Sequence, residues 1–180
     1  STLKKRLGSG GEQRLRRTLP ALVFQALQLV RRYYDAGEDS DENWHKKMKK
    51  IYTFCHQLIT ALAKVGDVNL ALRLYLQTAL VADYTQYDGS ENIVYEFVTQ
   101  AFSLYEDEVS DSKAQMDAVA LILGTLEKIR SFGQENFDPV ASKSALVASK
   151  LMRKPDQARG VCLCSFIFWA NRENEEEEEM

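Results

Sequence analysis

Apolar residues return at three- and four-residue intervals in seven successive runs along this chain, the spacing that gathers side chains on one face of a helix. The clearest run lies in the stretch from Ser90 to Gln115. Val94, Phe97, Val98, Ala101, Leu104 and Tyr105 form a stripe, Glu106, Asp107 and Glu108 close it, and Ser110, Asp111 and Ser112 follow. Carboxylates sit badly at a helix C-terminus and well at the start of the next helix, and Ser and Asp are favoured N-caps. The stretch therefore predicts two antiparallel helices joined by one acidic corner that serves the second, with Asp111 as the helix-corner N-cap.

The other runs read in the same way. Thr18 is expected to cap a first helix with Pro20 in its first turn, carrying Leu22, Val23, Ala26, Leu27, Val30 and Tyr34 and ending before Gly37. Residues 38–42 read as an acidic loop. A second helix from about Glu42 to Val65 has the stripe Trp44, Met48, Ile51, Cys55, Leu58, Ile59, Leu62 and Val65, and Gly66 stops it. A third starts at Asp67 and runs through Leu70, Leu74, Leu76, Leu80 and Tyr84 to a turn at Asp88-Gly89. The fifth runs from Asp111 through Val119, Ile122, Leu123, Leu126 and Ile129 to Gly133. Asp138-Pro139 opens a sixth, with Ala145, Leu146, Ala148, Leu151 and Met152, and Pro155 a seventh, with Val161, Leu163, Phe166, Ile167 and Trp169. No stretch alternates polar and apolar residues long enough to predict a strand.

The odd-numbered helices begin near residues 18, 67, 110 and 155, at intervals of about 49, 43 and 45, against a period of about 40–47 residues for two-helix repeats of HEAT and armadillo type. Helices three, five and seven are apolar nearly all round, so each needs neighbours on more than one side. A closed bundle would supply them; hairpins stacked in a row do so naturally. The expected fold is all-α, a HEAT-like α-solenoid of antiparallel helix hairpins with about seven helices. It divides into a basic lead-in and loop over 1–17, about three and a half hairpins over 18–172, and an acidic, disordered tail over 173–180.

Composition narrows the function classes. The 180 residues are 45% hydrophobic with only three Pro and nine Gly, well inside the globular range. Net charge is −3, yet residues 1–170 alone carry 22 bases and 20 acids, so the acidity belongs to the last ten residues. The body is not basic enough to imply nucleic acid. The three cysteines form no framework, which suits a reducing compartment. Ser1 to Arg6 lead into no apolar run of the kind a secretory signal uses, and uncharged runs such as Leu19–Val30 and Gly160–Asn171 are too short to span a bilayer.

Signatures of catalysis are absent. The chain has no nucleophile-elbow, zinc-protease or Walker motif, and Gly8-Ser9-Gly10 lacks the third glycine of a dinucleotide loop. His45 and His56 share a helix but stand about 16 Å apart along it, too far to share a metal. The Glu106–Glu108 run lacks the glycine turn and ligand spacing of a cation loop. No catalytic residue, metal ligand or cofactor site is expected. One charged cluster stands out: Lys46, Lys47, Lys49 and Lys50 crowd the first turns of the second helix, where the helix dipole disfavours cations. It reads as a solvated face or as a dock for an acidic peptide, with Trp44, Tyr52 and Phe54 offering apolar contacts.

Several runs resemble one family. Tyr95-Glu96-Phe97, the run from Ala101 to Glu108, the run from Ser110 to Gln115, Ala148-Ser149-Lys150-Leu151 and Lys154-Pro155-Asp156-Gln157 are similar to the largest subunit of retromer, the vacuolar protein sorting thirty-five family. Thr18-Leu19-Pro20 with Leu22-Val23-Phe24, and Phe168-Trp169, fit the same family, and the likeness reaches to about Arg172. The resemblance implies a non-enzymatic scaffold within a long HEAT-like solenoid, cytoplasmic and peripheral on endosome membranes. The coat it belongs to serves retrograde and recycling transport. This part of the family curls around a small subunit with a metallophosphoesterase fold and receives acidic Leu-Phe repeats from the WASH complex. Lys46, Lys47 and Lys50 match the basic contacts for those repeats; nucleic acid is not implied, and membrane contact is indirect. On helix four, Tyr95, Thr99, Phe102 and Glu106 lie off the main stripe and form a candidate partner face.

The family's N-terminal half, which binds its other subunits, is missing from the likeness. Arg73-Leu74-Tyr75-Leu76 resembles the family's arrestin-subunit motif, but Leu72 replaces the proline and the stretch lies in the wrong part, so it reads as core. The chain has the look of a fragment or truncation, and without a capping repeat helix seven should expose Phe166, Phe168 or Trp169. The alternative is an unrelated helical-repeat adaptor recruited to membrane or nucleic acid by its basic patch.

Overall fold

The computed structural model describes residues 11–36, 43–87 and 89–178, with side chains as far as Trp169. Seven helices lie among the described residues: α1 (Gly11–Ala36), α2 (Trp44–Lys64), α3 (Val68–Thr85), α4 (Ser90–Glu108), α5 (Ser112–Leu126), α6 (Gln134–Ser149) and α7 (Lys154–Glu178). No strand occurs among these residues. Every substantial helix pairing joins elements one or two apart in the chain. α1, α3, α5 and α7 pack successively in one row, and α2, α4 and α6 each pack on the odd-numbered helices before and after them. The fold is an α-solenoid, in which each hairpin is buried by the next.

That arrangement explains two of the three helices that read as apolar all round. α3 buries Ala71, Leu72, Leu74, Tyr75, Leu76, Ala79, Val81 and Ala82 because α1, α2, α4 and α5 all touch it. α5 buries Ala118, Val119, Ile122, Leu123 and Leu126 among α3, α4, α6 and α7. α7, apolar all round but without a following hairpin, has its substantial packing on α5 and α6, and the exposure expected of it is found. Its Cys164 and Ile167 turn inward while Phe166, Phe168 and Trp169 remain 53%, 47% and 65% exposed. The stripe expected on α6 is shifted as well: Val140, Ala141, Ser144, Val147 and Ala148 are buried, whereas Ala145 and Leu146 face solvent.

Glycine turns fall where the pattern placed them. Gly66 ends α2 at φ 89° and Gly89 precedes α4 at φ 85°, left-handed values that a Cβ would strain. Asp88 and the acidic loop at 38–42 lie outside the described residues, as do residues 1–10.

Several boundaries differ from the sequence reading. α1 starts at Gly11 rather than Thr18, so residues 11–17 are helical. Thr18 is no cap: its hydroxyl donates to the Arg14 carbonyl one turn back (2.7 Å). The early start has a packing reason, since Leu15 packs against the core and the Arg16 guanidinium donates to the Val65 carbonyl at the end of α2 (2.8 Å). Pro20 then lies inside α1 and leaves the Arg16 carbonyl without its ladder donor. α5 stops at Leu126 and not Gly133, and α6 begins at Gln134 and not Asp138, with Pro139 inside it. α7 continues as helix to Glu178, past the expected break at 173.

The short α5 has a specific cause. Asp83, 8% exposed at the end of α3, accepts hydrogen bonds from the backbone N–H groups of Arg130 and Ser131, both at 2.9 Å. Glu91 on α4 accepts from the Gly133 N–H and the Asn136 side chain, each at 2.8 Å. Two carboxylates of the second hairpin thus hold residues 130–133 out of the helix, and buried Ile129 anchors the segment. The acidic corner is also divided differently than expected. Asp111 accepts from the Ala114 N–H (2.8 Å) at the start of α5, but Glu106 pairs with Lys143 of α6 and Asp107 accepts from Ser103.

Asp83→Ala is expected to leave two partly buried N–H groups unpaired and to destabilise the fold by about 2–3 kcal/mol. Urea denaturation measures the loss, and hydrogen exchange should accelerate at Arg130 and Ser131. The exposed apolar face of α7 should make the isolated chain associate. Size-exclusion chromatography with light scattering should show mass rising with concentration, and less so in a Phe166→Lys, Trp169→Lys variant.

Candidate partner-binding surfaces

Two surfaces of the even-numbered helices gather the residues singled out by sequence. On α2, Lys46, Lys47 and Lys50 are exposed, and Lys47 Nζ sits 5.8 Å from the ring centre of Tyr33 on α1. Their apolar neighbours are not those expected. Trp44 and Tyr52 are core residues, 7% and 2% exposed, and the Tyr52 hydroxyl lies 3.4 Å from that of Thr85 on α3. Phe54 alone of the three reaches solvent, at 41%. It follows Lys50 by four positions and Lys47 by seven, so the three share one helix face. Helix α2 carries five lysines and no carboxylate, so this face is uniformly basic.

The second surface is a groove of about 310 Å³ between α4 and α6. Tyr95, Thr99, Phe102, Ser103 and Glu106 line one wall and Pro139, Val140 and Lys143 the other. All four residues of the expected partner face therefore meet in one cavity. Phe102 and Val140 are 4% and 5% exposed and form its floor, Tyr95 is half-buried, and Thr99 and Glu106 are open to solvent. Lys143 and Glu106 close one end at 2.6 Å. Being exposed, the pair contributes at most about 1 kcal/mol, so it orients the two helices more than it stabilises them. Pro139, Val140 and Lys143 escape sequence reasoning because nothing local shows that α6 lies along α4. The lone base of α6 facing the acids of α4 was the available signal.

The residues weighed for chemistry are dispersed into packing. His45 stacks on Trp44 with ring centres 3.8 Å apart, and His56 lies against Tyr75 and Phe97. Among the described residues no group of three or more His, Cys, Asp or Glu is placed to hold a metal ion. Burial pushes the Cys55 thiol up to about 12, so at neutral pH it is no nucleophile. Burial raises Cys164 too, while Cys162 is exposed. Leu72, Leu74, Tyr75 and Leu76 are buried, as core residues should be, with Arg73 at the surface. No described helix is long and apolar enough to cross a membrane.

The fold defines a class: a helical-repeat segment, here with a basic face on one even-numbered helix and a groove between the next two. Comparison with known proteins gives the family. The family model for vacuolar protein sorting-associated protein 35 matches residues 1–180. The chain is 45% identical over 170 residues to vacuolar protein sorting-associated protein 35A of Arabidopsis thaliana, covering 94% of this chain and 21% of that protein. It is 41% identical over 128 residues to the Schizosaccharomyces pombe protein 35, covering 71% and 15% respectively. It is 34% identical over 169 residues to the protein of that name from Dictyostelium discoideum, covering 91% and 21%. The chain belongs to the vacuolar protein sorting-associated protein 35 family, and spans 15–21% of the length of the curated relatives just described.

Iodoacetamide at pH 7.5 should modify Cys162 promptly and leave Cys55 and Cys164 protected until the chain unfolds. Peptide mass spectrometry reads this directly.

Proposed function

We propose that this segment is a non-enzymatic scaffold of the retromer endosomal cargo-sorting coat, supporting retrograde and recycling transport. In this reading the α4–α6 face meets the small metallophosphoesterase-fold subunit through Tyr95, Thr99, Phe102 and Glu106. The α2 strip of Lys46, Lys47 and Lys50, with Phe54 beside it, receives the acidic Leu-Phe repeats of the WASH complex. The lysines supply charge and Phe54 an apolar contact for the Leu-Phe pair. Other retromer subunits attach through parts of the family's length that this chain does not span. The chain acts in the cytoplasm, and it reaches the endosome membrane through its partners.

The observation that carries the reading is a groove of about 310 Å³, in a chain of this family, lined by four residues chosen from one helix by their register. A pull-down with the small subunit tests it. Thr99→Arg is expected to weaken capture at least about tenfold while leaving the melting temperature unchanged, because Thr99 is exposed and lines the groove. Charge reversal of Lys46, Lys47 and Lys50 to Glu should abolish binding of an acidic Leu-Phe peptide and retain the small subunit. A second reading follows from the uniform charge of α2: recruitment to membrane or nucleic acid by the basic strip. Under it, the same reversal abolishes binding to anionic liposomes or RNA, and the small subunit is not captured at all.

A further inference from the structure

The groove between α4 and α6 has a charge character opposite to that of α2, and this limits what enters it. α4 carries five carboxylates, Glu91, Glu96, Glu106, Asp107 and Glu108, and no base. α6 adds Glu135 and Asp138 and has one base, Lys143. Five of these groups are already engaged: Lys143 with Glu106, Glu91 with Gly133 and Asn136, and, by neutral donors that leave their charge in place, Asp107 with Ser103 and Asp138 with Gln134. Glu96, Asp107, Glu108, Glu135 and Asp138 are exposed. Glu96 and Asp107 flank Thr99 and Ser103 on the outer side of α4, one helical turn or less away, and Glu135 lies one turn before Pro139. The negative end of the α4 dipole falls at the same end as Asp107 and Glu108. Lys150 at the C-cap of α6 is the next base along that helix.

We propose that the α4–α6 groove takes a partner segment in which a large apolar side chain is flanked by lysine or arginine. This rests on the reading of that face as partner-facing and names the chemistry of what fills it. The floor of Phe102 and Val140, with Tyr95 and Pro139 as walls, accepts an aliphatic or aromatic anchor. The open carboxylates on both lips supply the matching charge and repel acidic segments. An acidic Leu-Phe repeat and a basic one are thereby sorted to different helices of the same layer. The discrimination is electrostatic and the anchoring is apolar, so both features are needed in one peptide.

The test uses the 180-residue chain and fluorescein-labelled twelve-residue peptides, read by fluorescence anisotropy. One peptide has a central Leu-Phe flanked by lysines, one the same centre flanked by glutamates, and one is the lysine peptide with Ser-Ser at its centre. The basic Leu-Phe peptide is expected to bind, and to weaken about tenfold as salt is raised from low to high ionic strength. Thr99→Trp, which fills the groove from an exposed position, and Glu96→Lys with Asp107→Lys should each reduce its affinity at least about tenfold with the melting temperature kept. Neither should change binding of the acidic peptide. Equal binding of the Ser-Ser peptide, or binding untouched by Thr99→Trp, overturns the proposal. So does failure of the basic peptide to bind a chain that captures the small subunit. Binding of the basic peptide by a chain that fails to capture that subunit upholds the proposal and removes the reading it deepens.

Discussion

A carboxylate on one hairpin that accepts backbone N–H groups from the next is the contact on which the rest of this structure leans. Asp83 sits almost fully buried at the end of α3, where an unpartnered charge would be costly. It is satisfied by two amides, of Arg130 and Ser131, some 47 and 48 residues further on. Charge-assisted bonds of this kind are stronger than neutral ones, so they outcompete the ordinary ladder of a helix continuing past Leu126. Glu91 repeats the device on α4, taking the Gly133 N–H and the Asn136 side chain. These contacts decide where α5 ends and where α6 begins.

The placement of α6 decides the groove. Glu91 holds the start of α6 at the start of α4, and Glu106 meets Lys143 near the other end of α4. The two helices therefore run side by side in the same direction, tied at both ends. Their direct packing is slight beside that of α4 on α3 and of α6 on α7, and the space left between them is the cavity lined by Tyr95, Thr99, Phe102, Pro139 and Val140. The groove is thus a by-product of stacking hairpins on a shared row of odd-numbered helices. Solenoids make surfaces in this way: the row buries, and the flank is left to contact partners.

The flank is polarised along its length. α2 is basic throughout, whereas α4 and α6 hold seven carboxylates against one lysine. A scaffold with opposite charges on neighbouring ridges can hold dissimilar partners without cross-binding, because charge selects and steers while the apolar contact at each site supplies affinity. Under the function proposed above, this polarity keeps the small subunit and the acidic repeats on separate ridges. His45 and His56 lie half-buried against aromatic rings, and burial raises the Cys55 thiol.

Much of this was legible in the residues themselves, wherever the physics is local. Helical periodicity alone placed Tyr95, Thr99, Phe102 and Glu106 on one line of α4, Gly66 marked the end of α2, and Asp111 announced a cap that the Ala114 N–H fills. The exposed aromatics of α7 followed from counting neighbours in a repeat. Tertiary structure decided what depends on partners distant in sequence. Leu15 and Arg16 drew α1 back to Gly11 by reaching the core and Val65; Asp83 and Glu91 cut α5 short. Trp44 and Tyr52 went into the core instead of onto the basic strip, because α2 meets both α1 and α3. The far wall of the groove, Pro139, Val140 and Lys143, belongs to a helix more than thirty residues from the near one. Periodicity encodes which residues share a face, but the identity of the surface opposite is set by which backbone groups a distant carboxylate captures.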